Sequence, residues 1–395
     1  MVQVACQIAA ESYIIAIVNS KLSSEDARVV KTSGASLVMM ENEYFSTSKL
    51  EFVTTQVIRS AYIPIKVFDL LPDTQTAFAL HYLMPANKKF LKIAKPGVQI
   101  SSTFLNKFLE AEELYIKRSD LQNWIEYAKS FDSNDSASDI RRCRLKFLQL
   151  NQSFLSLALL ISDQSAAASF ATGKELFTTC ESFAKDLLQS LEKIPNPMGI
   201  VNTSAVGDFG SLERAPAIAS YSAILSQKIG LGAPLEVMIG ALLSDVGYLE
   251  LSPSTSAKLR ENKLKEMHGE QTMEYQKHPI YSLNQCLARK LPLSEGMKTM
   301  ILQSHERMDQ KGFPNRPNPE KLSEEAMLIR LSWTLDSMSQ VRMGKAREPM
   351  DDILPRLIRE VLEEPGSFSV IFQMKLKPAL TSLIQVPTFT SQSPA

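Results

Sequence analysis

The chain has 395 residues, with 43 Lys+Arg against 43 Asp+Glu and so a formal net charge of zero. That length suits about two or three domains with sizeable cores. The balanced charge removes the usual electrostatic case for nucleic acid or an anionic membrane surface as the main partner. Cys6, Cys143, Cys180 and Cys286 form no CxxC pair and read as reduced thiols rather than metal ligands or disulfides. No apolar run reaches about 18 residues, so no membrane span is expected. The opening "MVQVACQIAAESYIIAIVNS" has no early basic cluster and is interrupted by Glu11, unlike a signal peptide. A cytoplasmic protein is the expectation.

In chain order, "YIIAIVN" (13–19) is an apolar, β-branched run suited to a buried strand. "SSEDARVVKTSGA" follows as a helix, with Ser23 and Asp26 spaced as a capping box and Gly34 as its end. "SLVMM" (36–40) reads as a second strand and "STSKLEFVTTQVIRS" (46–60) as a second helix, an order that implies parallel pairing. Residues 1–60 resemble the last two βα units of a response-regulator receiver domain, with Gly34-Ala35 before the final strand. The resemblance is truncated: the phosphoacceptor aspartate is missing and Glu41 falls near the family's lysine.

Residues 61–131 alternate short β-rich runs with Pro, Asn and Gly turns. A short helix, a strand at Leu114-Tyr115-Ile116 and another helix follow, resembling the small α/β sensor modules of bacterial signalling proteins. "DSNDSASD" (132–139) reads as a linker. Residues 140–199 carry helical periodicity as connecting helices, 200–380 continue it as a helical domain, and 381–395 form a flexible tail. The fold expected is therefore multidomain, with an α/β or α+β N-terminal region ahead of an all-α bundle. His81 and His268 are expected at the surface.

Five landmarks stand in order in the second half: "SLERAPAIASYSAILSQKIGL" (211–231), "MIGALLSDVGYLEL" (238–251), "YQKHPIYS" (275–282), "ILQSHERMDQKGFP" (301–314) and "LIRLSWTLDSMSQVRMGKA" (328–346). Together they closely resemble the HD-GYP branch of the HD phosphohydrolase superfamily over roughly residues 200–350. In that family, helices bring histidines and aspartates to two or three irons, and a metal-bound hydroxide attacks a phosphodiester of cyclic di-GMP. The chemistry needs neutral imidazoles and ionised carboxylates converging on the metals.

The resemblance assigns the ligand positions one by one. Ser211 stands where the family's first histidine opens its helix, followed by Arg214. The name-giving His-Asp pair is Ser244-Asp245, followed by Gly247. His278 before Pro279 is kept. The His-His-Glu triplet is Ser304-His305-Glu306. Trp333 replaces an aspartate on the next helix, while Asp336 keeps the second one. The Gly-Tyr-Pro loop is Gly312-Phe313-Pro314, which the family uses in contacts with diguanylate cyclase domains. Arg342 and Lys345 fall where the family offers basic side chains to phosphates.

Asp245, His278 and His305 thus remain as candidate metal ligands, and Ser211, Ser244, Ser304 and Trp333 mark degenerate positions. Neutral serine is a poor substitute for imidazole, and the indole N–H only donates. No cofactor is expected, or at most a single weakly bound transition metal, iron or manganese. The leading expectation is a catalytically inactive protein of cyclic di-GMP signalling. It would sense the nucleotide through Arg342 and Lys345, or dock diguanylate cyclase domains or other signalling proteins through Gly312-Phe313-Pro314. The alternatives are a phosphodiesterase with a reduced metal site and a structural scaffold without nucleotide. If Trp333 fills the old metal cavity, its N–H should bond a serine hydroxyl or Asp245 in a closed plug.

Overall fold

The computed structural model describes residues 14–19, 22–23, 25–26, 29–30, 33, 35, 37–41, 62–84, 89–111, 113–130, 135–162, 170–204, 212–260, 263–339 and 348–384. Ser211, Arg342, Lys345, Gly34, Cys6 and the expected helix at 46–60 lie outside them. The chain divides into two units, one of residues 54–148 and one combining 1–53 with 149–395.

In the second of these, β1 (Ile15–Val18) pairs in parallel with β2 (Leu37–Met40), in the register Ile15 to Leu37. Ser23 caps as expected, the Asp26 backbone N–H donating to Ser23 Oγ at 3.1 Å, while the Asp26 carboxylate accepts from the Ser23 hydroxyl at 2.6 Å in place of the backbone N–H of a full capping box.

The 54–148 unit is built on an antiparallel sheet in the order β3 (Tyr62–Lys66), β8 (Glu113–Lys117), β5 (Leu80–Met84), β6 (Lys89–Ala94). A two-stranded ribbon pairs β4 (Thr74–Gln75) with β7 (Gln99–Ile100). Two helices complete it, α1 (Ser102–Asn106) and α2 (Leu121–Ser130). Trp124, Tyr127 and Ala128 are buried at i, i+3, i+4 spacing, so α2 offers one apolar face to the sheet residues Ile63, Ile65, Leu80, Leu114 and Ile116. Phe78 meets both aromatic rings edge to face, at 5.7 Å from Trp124 and 5.6 Å from Tyr127. The Tyr127 hydroxyl in turn accepts from the Leu71 backbone N–H at 2.9 Å. His81, expected at the surface, is only 2% exposed, because it lies within β5, paired with Tyr115 and edge to face with Tyr62. His268 is exposed.

Helix α3 (Ser136–Ser162) starts inside the stretch read as a linker. The physical reason is capping. Asp135 Oδ1 accepts the Ser138 N–H at 2.7 Å, so the Asp-Ser-rich sequence is a helix start as well as a polar run. The first half of α3 adds Leu145 and Leu148 to the core of the 54–148 unit. Arg144 reaches Asp69 with bonds of 2.7 to 3.1 Å, and Asp69 is 4% exposed.

Beyond Lys117 the described residues contain no strand. The helices that follow are α4 (Phe170–Leu191), α5 (Pro197–Ser204), α6 (Ala215–Ile229), α7 (Pro234–Leu243), α8 (Pro253–Arg260), α9 (Glu270–Gln276), α10 (His278–Ala288), α11 (Glu295–Gln303), α12 (Glu324–Ser339), α13 (Met350–Leu357) and α14 (Val370–Ile384). The last of these extends into the stretch expected as a tail. Helix α6 is buried on every side from Ala215 to Ser226 and packs against α7 and α12, as a central helix must. Its serines satisfy themselves locally: Ser220 donates to Pro216 O and Ser222 to Ile218 O. Ala241, Leu242, Leu243 and Val246 are at most 1% exposed, which puts the Ser244-Asp245 pair at the centre of the bundle. Cys143, Cys180 and Cys286 are free and buried, and no described helix is long and apolar enough to cross a membrane.

Replacing Arg144 with Leu would leave the Asp69 carboxylate buried without its partner, which costs about 3–5 kcal/mol. Urea unfolding followed through Trp124 should show a loss of that order, whereas Asp69→Asn with Arg144→Leu together should recover most of it.

Candidate metal centre

Three chain segments converge on one carboxylate. Asp245 follows the C-terminus of α7 and opens a 3-10 turn, Val246–Glu250. His278 is the first residue of α10, and His305 lies in the turn after α11. His305 Nε2 is 3.3 Å from Asp245 Oδ1, and His278 Nε2 is 3.4 Å from the same oxygen. All three side chains are buried: Asp245 is 2% exposed, His278 0% and His305 7%.

The ring state of His278 follows from its other nitrogen. Nδ1 is 2.6 Å from the Tyr275 carbonyl, which can only accept, so Nδ1–H donates. In the neutral ring Nε2 is then a bare lone pair, and it is buried without a hydrogen-bond partner. A lone pair facing a carboxylate oxygen is favourable only with a cation between them, either a proton on the ring or a metal ion. The separations fit the second option well. Two donors on one ion with bonds of about 2.1 Å lie roughly 3.0–3.4 Å apart in octahedral or tetrahedral geometry. Burial opposes the charge on Asp245, but the two imidazoles outweigh it and hold the carboxyl well below the usual range. For His305 burial dominates and lowers the pKa, with the Asp245 contact working against it. Two imidazole nitrogens and an ionised carboxylate suit one transition-metal ion, and among the described residues this is the one such cluster of three.

Local structure explains how the three meet. Ser282, one turn into α10, donates to Ser244 O at 2.6 Å and accepts the Gly247 N–H at 2.8 Å, clamping the turn that carries Asp245. Gly247 is needed for this approach, since a Cβ there would lie 2.1 Å from His278 O and 2.7 Å from Ser282 N. Aromatic rings enclose the imidazoles. Tyr248 and Tyr275 lie 4.4 and 5.1 Å from His278. Phe313 stacks on His305 at 4.9 Å and 12°, and Trp333 meets the same ring edge to face at 5.4 Å and 84°.

The remaining expected positions divide clearly. Ser244 Oγ donates to Ala241 O and Ser304 Oγ to Ile301 O, so both hydroxyls close on their own helices. Asp336, the second aspartate, is bound by Arg214 Nε at 2.5 Å, while Arg214 also donates to Ser337 Oγ at 2.7 Å and covers the Trp333 ring. Trp333 Nε1 is buried and has no partner, so the expected bond from the indole to a serine or Asp245 does not form. Ser244 and Ser304 lie against the carbonyls of their own helices and Asp245 faces the histidines, and none of the three accepts from the indole. In the loop, Gly312-Phe313-Pro314 turns Phe313 inward over His305 and Tyr275. Glu306 Oε1 accepts the Asn315 and Arg316 N–H groups, and Arg307 bonds Asp309 and Glu364. Only His305 of that charged run enters the centre. Ser282 and the Tyr275 carbonyl were not foreseen; the one available signal was the serine four residues after His278.

Residues 204–361 match the family model described as HD domain. Among solved structures, Bd1817, a HDG"Y"P protein from Bdellovibrio bacteriovorus, is similar with a TM-score of 0.53 and 16% identity, over 81% of this chain and 99% of that one. No curated protein matches. The helical region from 204 to 361 is therefore an HD domain, and the fold is shared with an HD-GYP-type protein.

Gly247→Ala should cost about 3 kcal/mol or more, at the upper end for overpacking because the clash is with backbone. Thermal unfolding checks this, and Ala at the exposed Gly296 of α11, where the added Cβ meets only the Glu236 side chain and Ser294 Oγ, is the comparison. Metal affinity measured by calorimetry should be flat above about pH 6.5, the ordinary histidine value, because burial keeps His305 neutral and Asp245 is ionised throughout. It should fall only at lower pH, where His305 takes up a proton.

Proposed function

We propose that this protein is a catalytically inactive HD-GYP-like module of cytoplasmic cyclic di-GMP signalling, binding ligand or a protein partner at its reduced centre rather than hydrolysing the nucleotide. The observation that carries this reading is the donor count: Asp245, His278 and His305 converge, while Ser244, Ser304 and Asp336 bond other groups and the Trp333 indole offers no lone pair. The resemblance of the whole motif series to the HD-GYP branch supplies the link to cyclic di-GMP.

Asp245, His278 and His305 would hold a single ion, iron or manganese by family resemblance. When bound, that ion supplies Lewis-acid charge that neutralises phosphate oxygens. The protein residues do the rest: Tyr275 O fixes the His278 tautomer, Ser282 fixes the turn, and the aromatic rings exclude water around the donors. Arg342 and Lys345 are the proposed phosphate contacts from the adjoining segment. For docking of diguanylate cyclase domains, the Gly312-Phe313-Pro314 loop would use its exposed flanks Lys311, Asn315 and Arg316, since Phe313 faces inward.

A second reading is a phosphodiesterase working with one ion, and the fit of the three donors to a single ion favours it. Protein purified from iron- and manganese-supplemented medium separates the two. The leading reading expects no more than one equivalent of metal, no cyclic di-GMP hydrolysis above background, and binding of the intact nucleotide by calorimetry. Turnover that disappears in His278→Ala and His305→Ala would overturn it in favour of the enzyme. Absence of both binding and turnover would leave a scaffold.

A further inference from the structure

Trp333 combines two features that do not fit a mere space filler. Its ring lies edge to face against His305, one of the three metal donors, and its indole N–H is buried without any acceptor. A buried donor left unpaired costs about 1–3 kcal/mol. None of the described acceptors reaches it. Asp245 Oδ1 faces the two imidazoles, Ser244 and Ser304 lie against carbonyls of their own helices, and Asp336 bonds Arg214. Ser337 Oγ, one turn on from Trp333, donates to the Trp333 carbonyl and accepts from Arg214. Among the described residues, then, the indole N–H has no acceptor.

The charge of the centre says what kind of acceptor it would be. One divalent ion with the single carboxylate of Asp245 leaves an excess of one positive charge in a buried, aromatic-walled site. Arg214 lies beside it and is balanced by Asp336. Such a centre favours one anionic oxygen ligand.

We infer that Trp333 is a recognition residue: its N–H donates to an oxygen of a phosphate-type anion brought to the Asp245–His278–His305 centre. A position that supplies a metal ligand in the resembled family would then supply an anion contact in this chain. This rests on the reading that the centre holds a metal ion, and it adds the residue that contacts the anion.

The full-length protein, labelled with 15N at tryptophan and loaded with Zn2+, provides the test, with methyl phosphate as the probe. Only Trp124 and Trp333 give indole N–H signals, since the chain has 2 tryptophans. Saturating methyl phosphate should move the Trp333 signal downfield and slow its exchange with solvent, leaving Trp124 unchanged. Trp333→Phe, which keeps the ring against His305, should bind Zn2+ within about threefold of the parent but methyl phosphate about tenfold or more weakly, the loss of one hydrogen bond to a charged acceptor. If that variant does not fold, Trp124→Phe leaves Trp333 as the single indole signal and the shift alone decides.

A Trp333 signal unmoved at saturating methyl phosphate overturns the inference, and so does equal phosphate affinity in Trp333→Phe. In either case the metal centre itself stands. Failure of the parent to bind Zn2+ overturns the metal reading and this inference with it.

Discussion

A carboxylate cannot remain charged inside an apolar bundle unless something positive or proton-bearing faces it. Asp245 is in that position, 2% exposed at the end of a helix whose neighbours are Ala, Leu and Val. Everything around it answers that demand. Two imidazole Nε2 atoms approach one of its oxygens, one from the start of α10 and one from the turn after α11, and Arg214 and Asp336 neutralise each other rather than Asp245. The donor set is consequently one that could hold a single cation.

That demand also fixes the backbone. For His278 to reach Asp245, α10 must come so close to the turn after α7 that no side chain fits at Gly247, and Ser282 must bond both strands of the turn. The Tyr275 carbonyl then sets which His278 nitrogen faces inward. Packing, hydrogen bonding and ring tautomer form one constraint, which is why altering the glycine should disturb the donors without touching any of them.

Much of this was readable from the sequence. The small, apolar "ALLSDVG" run announced a buried helix end, and the resemblance to the HD-GYP motifs left Asp245, His278 and His305 as residual candidate ligands. The parallel pair in the first 41 residues and the strand-helix alternation of the 54–148 unit followed from β-branched runs and turn residues. What escaped had a physical reason in each case. "DSNDSASD" has the composition of a linker, and only the Asp135 side chain bonding Ser138 N–H reveals a helix start. His81 is polar and lay outside any motif, but strand register buried it beside Tyr62. Phe313 looked like a loop tip available for docking, and tertiary packing turned it onto His305. The indole of Trp333 was expected to find a partner because buried donors generally do, and only the structure shows that no described acceptor reaches it.

The serine positions show how a site can lose donors without losing its core. A serine in the last turn of a helix can return its hydroxyl to a carbonyl three residues back, as Ser244 and Ser304 do. It therefore leaves no unsatisfied polar atom, and α7 and α11 end normally. Aromatic rings occupy the flanks of His305 instead, Phe313 on one contact and Trp333 on another. Rings of this kind lower the local polarity, which strengthens the attraction between Asp245 and any cation beside it. They contribute no negative charge that a second ion would require. With serine and aromatic residues around them, Asp245, His278 and His305 thus offer one negative charge and two imidazole nitrogens, a donor set that suits one cation rather than several.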